Sequence, residues 1–86
     1  MIMHSKTEQA SAFAAEVGAA VRAARERTGL RQDELALIGG VSTRVIHQIE
    51  KGKPTSRLDS IIPVLAALGM SLEIAGREPG GGEGES

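Results

Sequence analysis
The 86-residue chain sets 10 Lys and Arg against 11 Asp and Glu, for a net charge of −1, and has no Cys, Trp or Tyr and one Phe. Without cysteine there is no disulfide scaffold, no Cys-ligated zinc and no thiol nucleophile, and two histidines, His4 and His47, are too few for a histidine-rich metal site. Its longest apolar stretch, residues 61–70, is about half the ~20 residues a membrane span needs, and no secretory pattern opens the chain, so a soluble cytoplasmic protein without a membrane partner is expected.

Residues 1–10 are short and mixed and read as a flexible arm. Phe13, Val17, Ala20, Val21 and Ala24 recur at threes and fours, which predicts a first helix over 12–28, capped by Ser11 and ended by Gly29. A second helix spans 32–39, and the Gly39-Gly40 pair breaks it, because glycine enters the left-handed conformation without steric penalty. Ser42 is a good N-cap for a third helix that runs to Lys51 and stops at Gly52. After the loop Lys53-Pro54-Thr55, Ser56 with Asp59 reads as a capping box in which Asp replaces Glu.

The fourth helix carries Leu58, Ile61, Ile62, Leu65 and Leu68 on one face, with Pro63 expected to kink it or split it in two. Met70, Leu72 and Ile74 then alternate with Ser71, Glu73 and Ala75, the period of a strand over 70–76. No second strand exists to pair with it, so it pairs between chains or stays a loop. Residues 77–86 hold Gly, Glu and Pro without an apolar side chain and read as a disordered tail. The ordered part is then roughly 65 residues, below the ~70–80 at which one core usually suffices, and a homodimer is the expected remedy.

The third helix has the most informative pattern. At 100° per residue, Val45, Ile46 and Ile49 gather on one side, while Thr43, His47, Lys51, Arg44 and Gln48 form a continuous polar arc of about 140°. Such a helix docks its apolar side and offers hydrogen-bonding groups of the kind that read base edges; an ordinary solvated helix is the competing reading. The string Gln32-x3-Ala36-x3-Gly40-x5-Ile46-x2-Ile49 decides between them. Its small Ala36 permits a close helix crossing, Gly40 makes the turn, and Ile46 and Ile49 plug the next helix onto the core.

With that string, residues 17–68 closely resemble the Cro-like (XRE) family of phage-repressor-type DNA-binding proteins. The resemblance implies an all-α, lambda-repressor-like bundle of four or five helices, with a DNA-binding domain over 11–69. It implies base reading by Thr43, Arg44, His47 and Gln48, and phosphate contacts from Gln32, with Ser42, Lys51, Lys53 and Thr55 alongside. The chain departs from the family pattern at Arg31, where Ser or Thr is usual, at Gly39, where an apolar residue is usual, and at Leu37 and Ile38, which replace polar residues. Net charge is no obstacle: residues 22–57 carry eight basic and four acidic side chains, net +4, which leaves −5 elsewhere.

The lone strand and tail narrow the likeness further, to HipB-like antitoxins, in which a strand after the last helix pairs across a dimer. For this chain that implies an intersubunit ribbon of Met70, Leu72 and Ile74, a palindromic double-stranded operator, and a HipA-like Ser/Thr-kinase toxin as partner. A stand-alone Cro-like repressor without a toxin is the alternative. With no phosphate loop ahead of a helix and no nucleophile beside a base, neither an enzyme nor a cofactor is expected.

Overall fold
The computed structural model describes residues 6–76 and contains, among them, four helices and no strand: α1 (Lys6–Arg27), α2 (Gln32–Gly39), α3 (Thr43–Glu50) and α4 (Leu58–Ala67). Residues 1–5 of the expected arm and the expected tail, residues 77–86, lie outside the described residues.

Each helix ends in the same way. Gly29, Gly40, Gly52 and Gly69 all take φ between +72° and +76°. Around each, the glycine N–H reaches back three residues and the following N–H reaches back five, as in Val41 N to Ala36 O at 3.0 Å and Met70 N to Leu65 O at 2.8 Å. This double bond pattern satisfies the last helical carbonyls and turns the chain sharply. The Gly39-Gly40 pair divides its work: Gly40 alone is left-handed, while Gly39 is the last residue of α2 and faces Val64.

Helix starts differ more from expectation. α1 begins at Lys6, not near residue 12, because residues 6–11 are mostly good helix formers and Ser11 is an interior serine instead of a cap. α2 has no side-chain oxygen at its cap, since a guanidinium offers only donors. Glu34 Oε1 instead accepts from the Arg31 backbone N–H at 2.8 Å, which is half of a capping box. α3 is capped as expected, with Ser42 Oγ accepting from Val45 N at 3.2 Å. The expected Ser56–Asp59 box does not form: the cap residue is Arg57, Asp59 pairs with it at 2.8 Å, and Ser56 Oγ is buried without a partner. α4 runs unbroken through Pro63.

Val17, Val21 and Ala24 of α1, Leu35 and Ala36 of α2, Ile46 and Ile49 of α3, and Ile61, Val64 and Leu65 of α4 are the buried apolar side chains. α4 does not bury the face its sequence suggests. Ile61, Val64 and Leu65 turn inward against α2 and α3, whereas Leu58 and Ile62 stay 57% and 52% exposed. The apolar arc of α4 is wider than the strip its neighbours can cover. Residues 70–76 form no strand within this chain; Met70 and Leu72 pack on the core, and Ile74 is 98% exposed. Among the described residues no helix is long and apolar enough to cross a membrane.

Candidate nucleic-acid interface
Burial of Ile46 and Ile49 fixes the rotation of α3 about its axis, and that rotation decides what the solvent meets. Thr43, Arg44 and His47 are exposed along α3, and Lys51 just beyond it; Gln48 is half-buried beside them. The four residues expected to read bases therefore share one helix surface. Ser42 is exposed at the start of α3, its hydroxyl engaged as the cap, and Lys53 and Thr55 are exposed in the loop that follows. Gln32 stands at the start of α2, half-buried.

The side chain beneath Gln32 is the one sequence reasoning missed. Glu50, at the end of α3, receives Arg25 Nε on Oε2 at 2.6 Å and Arg25 Nη2 on Oε1 at 3.0 Å, a two-pronged pair with side chains 13% and 5% exposed for Arg25 and Glu50. Gln32 Nε2 also donates to Glu50 Oε1, at 3.1 Å, and Arg25 Nη1 donates to the Leu30 carbonyl at 2.9 Å. One carboxylate thus ties α1, α2 and α3 together. Burial alone would raise the Glu50 pKa, but the hydrogen bonds from Arg25 and Gln32 outweigh it and hold the carboxyl below its ordinary range. The bond to Glu50 likewise raises the Arg25 pKa. Gln32 spends one N–H on Glu50, and a primary amide has a second to offer.

Pairing also redistributes the positive charge. Arg22 meets Glu26, Arg31 meets Asp33 and Glu34, and Arg57 meets Asp59. Among the residues whose side chains the structure describes, Arg27, Arg44, Lys51 and Lys53 are the cations outside ion pairs, and three of these lie on α3 or just after it. Arg22, Gln32, His47 and Lys51 line one open polar groove above the Arg25–Glu50 pair. The groove joins the start of α2 to the outer side of α3, and Arg22 of α1, Gln32 of α2 and His47 of α3 set polar groups around one opening.

A short helix seated on α4, a glycine turn and a second helix seated on α1 and α4 with its polar side free define a helix-turn-helix domain. A helix-turn-helix family model matches residues 21–74, more than half of the chain, and the chain belongs to that family, of the XRE type. It is 47% identical over 60 residues to y4mF of Sinorhizobium fredii, described as an uncharacterized HTH-type transcriptional regulator; the match covers 70% of this chain and 79% of that one. It is 36% identical over 50 residues to another uncharacterized HTH-type transcriptional regulator, from Haemophilus influenzae, covering 58% of this chain and 51% of the relative.

Proposed function
We propose that this protein is a transcriptional repressor that binds a palindromic double-stranded operator as a homodimer in the cytoplasm. The observation that carries the reading is the concentration of unpaired cations on and beside the exposed polar side of α3. α3 enters the major groove. Thr43, Arg44, His47 and Gln48 meet base edges, where Arg44 suits guanine and Gln48 suits adenine. Gln32, Ser42, Lys51, Lys53 and Thr55 hold phosphates and set the register. The two copies pair residues 70–76 as an antiparallel ribbon, and this holds their α3 helices about one DNA turn, ~34 Å, apart.

Readers and positioners separate by mutation. Arg44→Ala or Gln48→Ala should cost about 1–3 kcal/mol per half-site and relax base preference at defined positions. Lys53→Ala should weaken operator and random DNA alike and reduce the salt slope by about 1. Fluorescence anisotropy on both DNAs across a salt series makes the comparison. An Arg44→Ala loss that is equal on operator and random DNA places the wrong residues at the bases.

The finer role we infer is that of an antitoxin, which represses its own operon and neutralises a HipA-like Ser/Thr-kinase toxin. Leu37 and Ile38 support it: they are 84% and 58% exposed on α2, an apolar pair that solvent does not favour and that faces away from the core. Leu37→Glu should abolish binding of the neighbouring gene product in a pull-down while operator affinity stays within twofold of wild type. If the wild-type protein does not bind that product, the protein is a stand-alone Cro-like repressor.

A further inference from the structure
A cleft of about 140 Å³ opens where the first half of α1 meets the loop between α3 and α4. Phe13, Ala14 and Val17 of α1 line it together with Pro54 of the loop and Leu58 and Ile61 of α4. The loop is held against α1: a Cβ on Gly52 would lie 3.0 Å from the Ala15 Cα, so the two backbones touch. Two polar side chains interrupt the apolar lining, Lys53 and Ser56, and no carboxylate shares it. Lys53 is exposed and, among the described residues, outside ion pairs. Ser56 Oγ is shielded from solvent without a hydrogen-bond partner, whereas a buried hydroxyl ordinarily has one.

We propose that this cleft binds a small apolar carboxylic acid about the size of benzoate, and that the bound acid weakens DNA binding by engaging Lys53. Size, lining and charge select the same class of ligand. An apolar cavity of ~150 Å³ accommodates benzene, so a single ring fits here and a nucleotide does not. Half of the Phe13 surface is open to solvent, and the ring of the acid covers it. A carboxylate is acceptor-only, which matches a lining whose two polar groups are an ammonium and a hydroxyl with no acceptor of its own. The ligand site stands apart from the DNA reading. Its effect on DNA rests on that reading, through Lys53 as a phosphate contact: a side chain drawn to the acid is withdrawn from the phosphate.

Benzoate is the probe and benzyl alcohol its uncharged counterpart, both added to the full-length protein at matched ionic strength. In amide nuclear magnetic resonance spectra, benzoate should move Ala14, Ser56 and Leu58 saturably, with a Kd of about 1 mM or below, and leave Leu37 in place. Benzyl alcohol should bind about fivefold more weakly, and Lys53→Ala should erase the difference. Ala14→Phe, which fills the cleft, should abolish binding of both. Saturating benzoate should lower DNA affinity about fivefold in fluorescence anisotropy and leave the Lys53→Ala protein unaffected.

A lack of saturable shifts, or shifts that Ala14→Phe retains, overturns the site. Benzyl alcohol bound as tightly as benzoate overturns the acid. Binding that appears only after residues 2–5 are removed gives the cleft to the chain's own N-terminus and overturns it too. Benzoate that binds without changing DNA affinity overturns the regulation alone. A protein that binds no DNA even without benzoate refutes the repressor reading and the regulation with it, and the shifts still decide the site. If Ala14→Phe does not fold, the benzoate preference and its loss in Lys53→Ala decide.

Discussion
Glu50→Ala is expected to destabilise the protein by about 3–5 kcal/mol, the range for removing one partner of a buried ion pair. Glu50 accepts from Arg25 twice and from Gln32 once, and its side chain is 5% exposed. Without it, a guanidinium that is 13% exposed keeps only its bond to the Leu30 carbonyl. A domain of about 70 residues has roughly 4–10 kcal/mol in total, so the loss takes a large share of it. Urea denaturation measures it directly. Replacing the whole pair, Arg25→Met with Glu50→Leu, should recover most of the loss, because the cost lies in the orphaned charge more than in the missing attraction. A loss below about 1 kcal/mol for Glu50→Ala would mean that solvent screens the pair.

The same carboxylate gives the stability a pH dependence of known sign. The Glu50 pKa is depressed in the folded state, so the native protein binds this proton less readily than the unfolded chain. Its contribution is therefore complete above the ordinary glutamate pKa of about 4.3 and is lost as pH falls through the lower folded-state value. Wild-type stability should drop on acidification through this window, and Glu50→Gln should drop less steeply.

The second large effect concerns a glycine inside a helix. A Cβ built on Gly18 would overlap the Ile49 carbonyl oxygen and lie 3.0 Å from the Glu50 carbonyl oxygen, where α1 crosses the end of α3. Both opposing atoms are backbone and cannot swing away. Alanine normally gains about 0.5–1 kcal/mol over glycine in a helix, but overpacking here should reverse the sign and cost a net ~2–3 kcal/mol. For a domain of this size that is a fall in Tm of about 10–20 °C. Gly39 is the control. Its Cβ would meet Val64 Cγ2 at 3.4 Å, an ordinary contact, and Gly39→Ala should leave the protein unchanged or slightly more stable. If Gly18→Ala raises Tm as Gly39→Ala does, α1 and α3 are not in backbone contact.

These two sites also show where sequence stops being informative. Helix ends were legible because a left-handed turn almost requires glycine, and Gly29, Gly40 and Gly52 announce it. The exposed polar side of α3 was legible because Ile46 and Ile49 fix its rotation. Gly18 was not, since a glycine in a helical pattern looks like a tolerated cost until the helix across from it is known. Nor was Glu50, whose partner Arg25 is 25 residues away and shares no periodicity with it. α4 misled for a related reason: Leu58 and Ile62 fit the apolar spacing, yet α2 and α3 cover only the side that holds Val64. Ser56 had the right chemistry for a cap, but the helix starts one residue later and leaves its hydroxyl buried.

Footprinting of the purified protein on the DNA upstream of its own coding sequence tests the central claim, that the polar side of α3 reads a specific DNA site. Two protected half-sites with centres about 34 Å apart, one turn of the duplex, should appear with the wild type, and the protection should vanish with Arg44→Ala at the same protein concentration. The absence of protection, or protection that Arg44→Ala leaves intact, would contradict it.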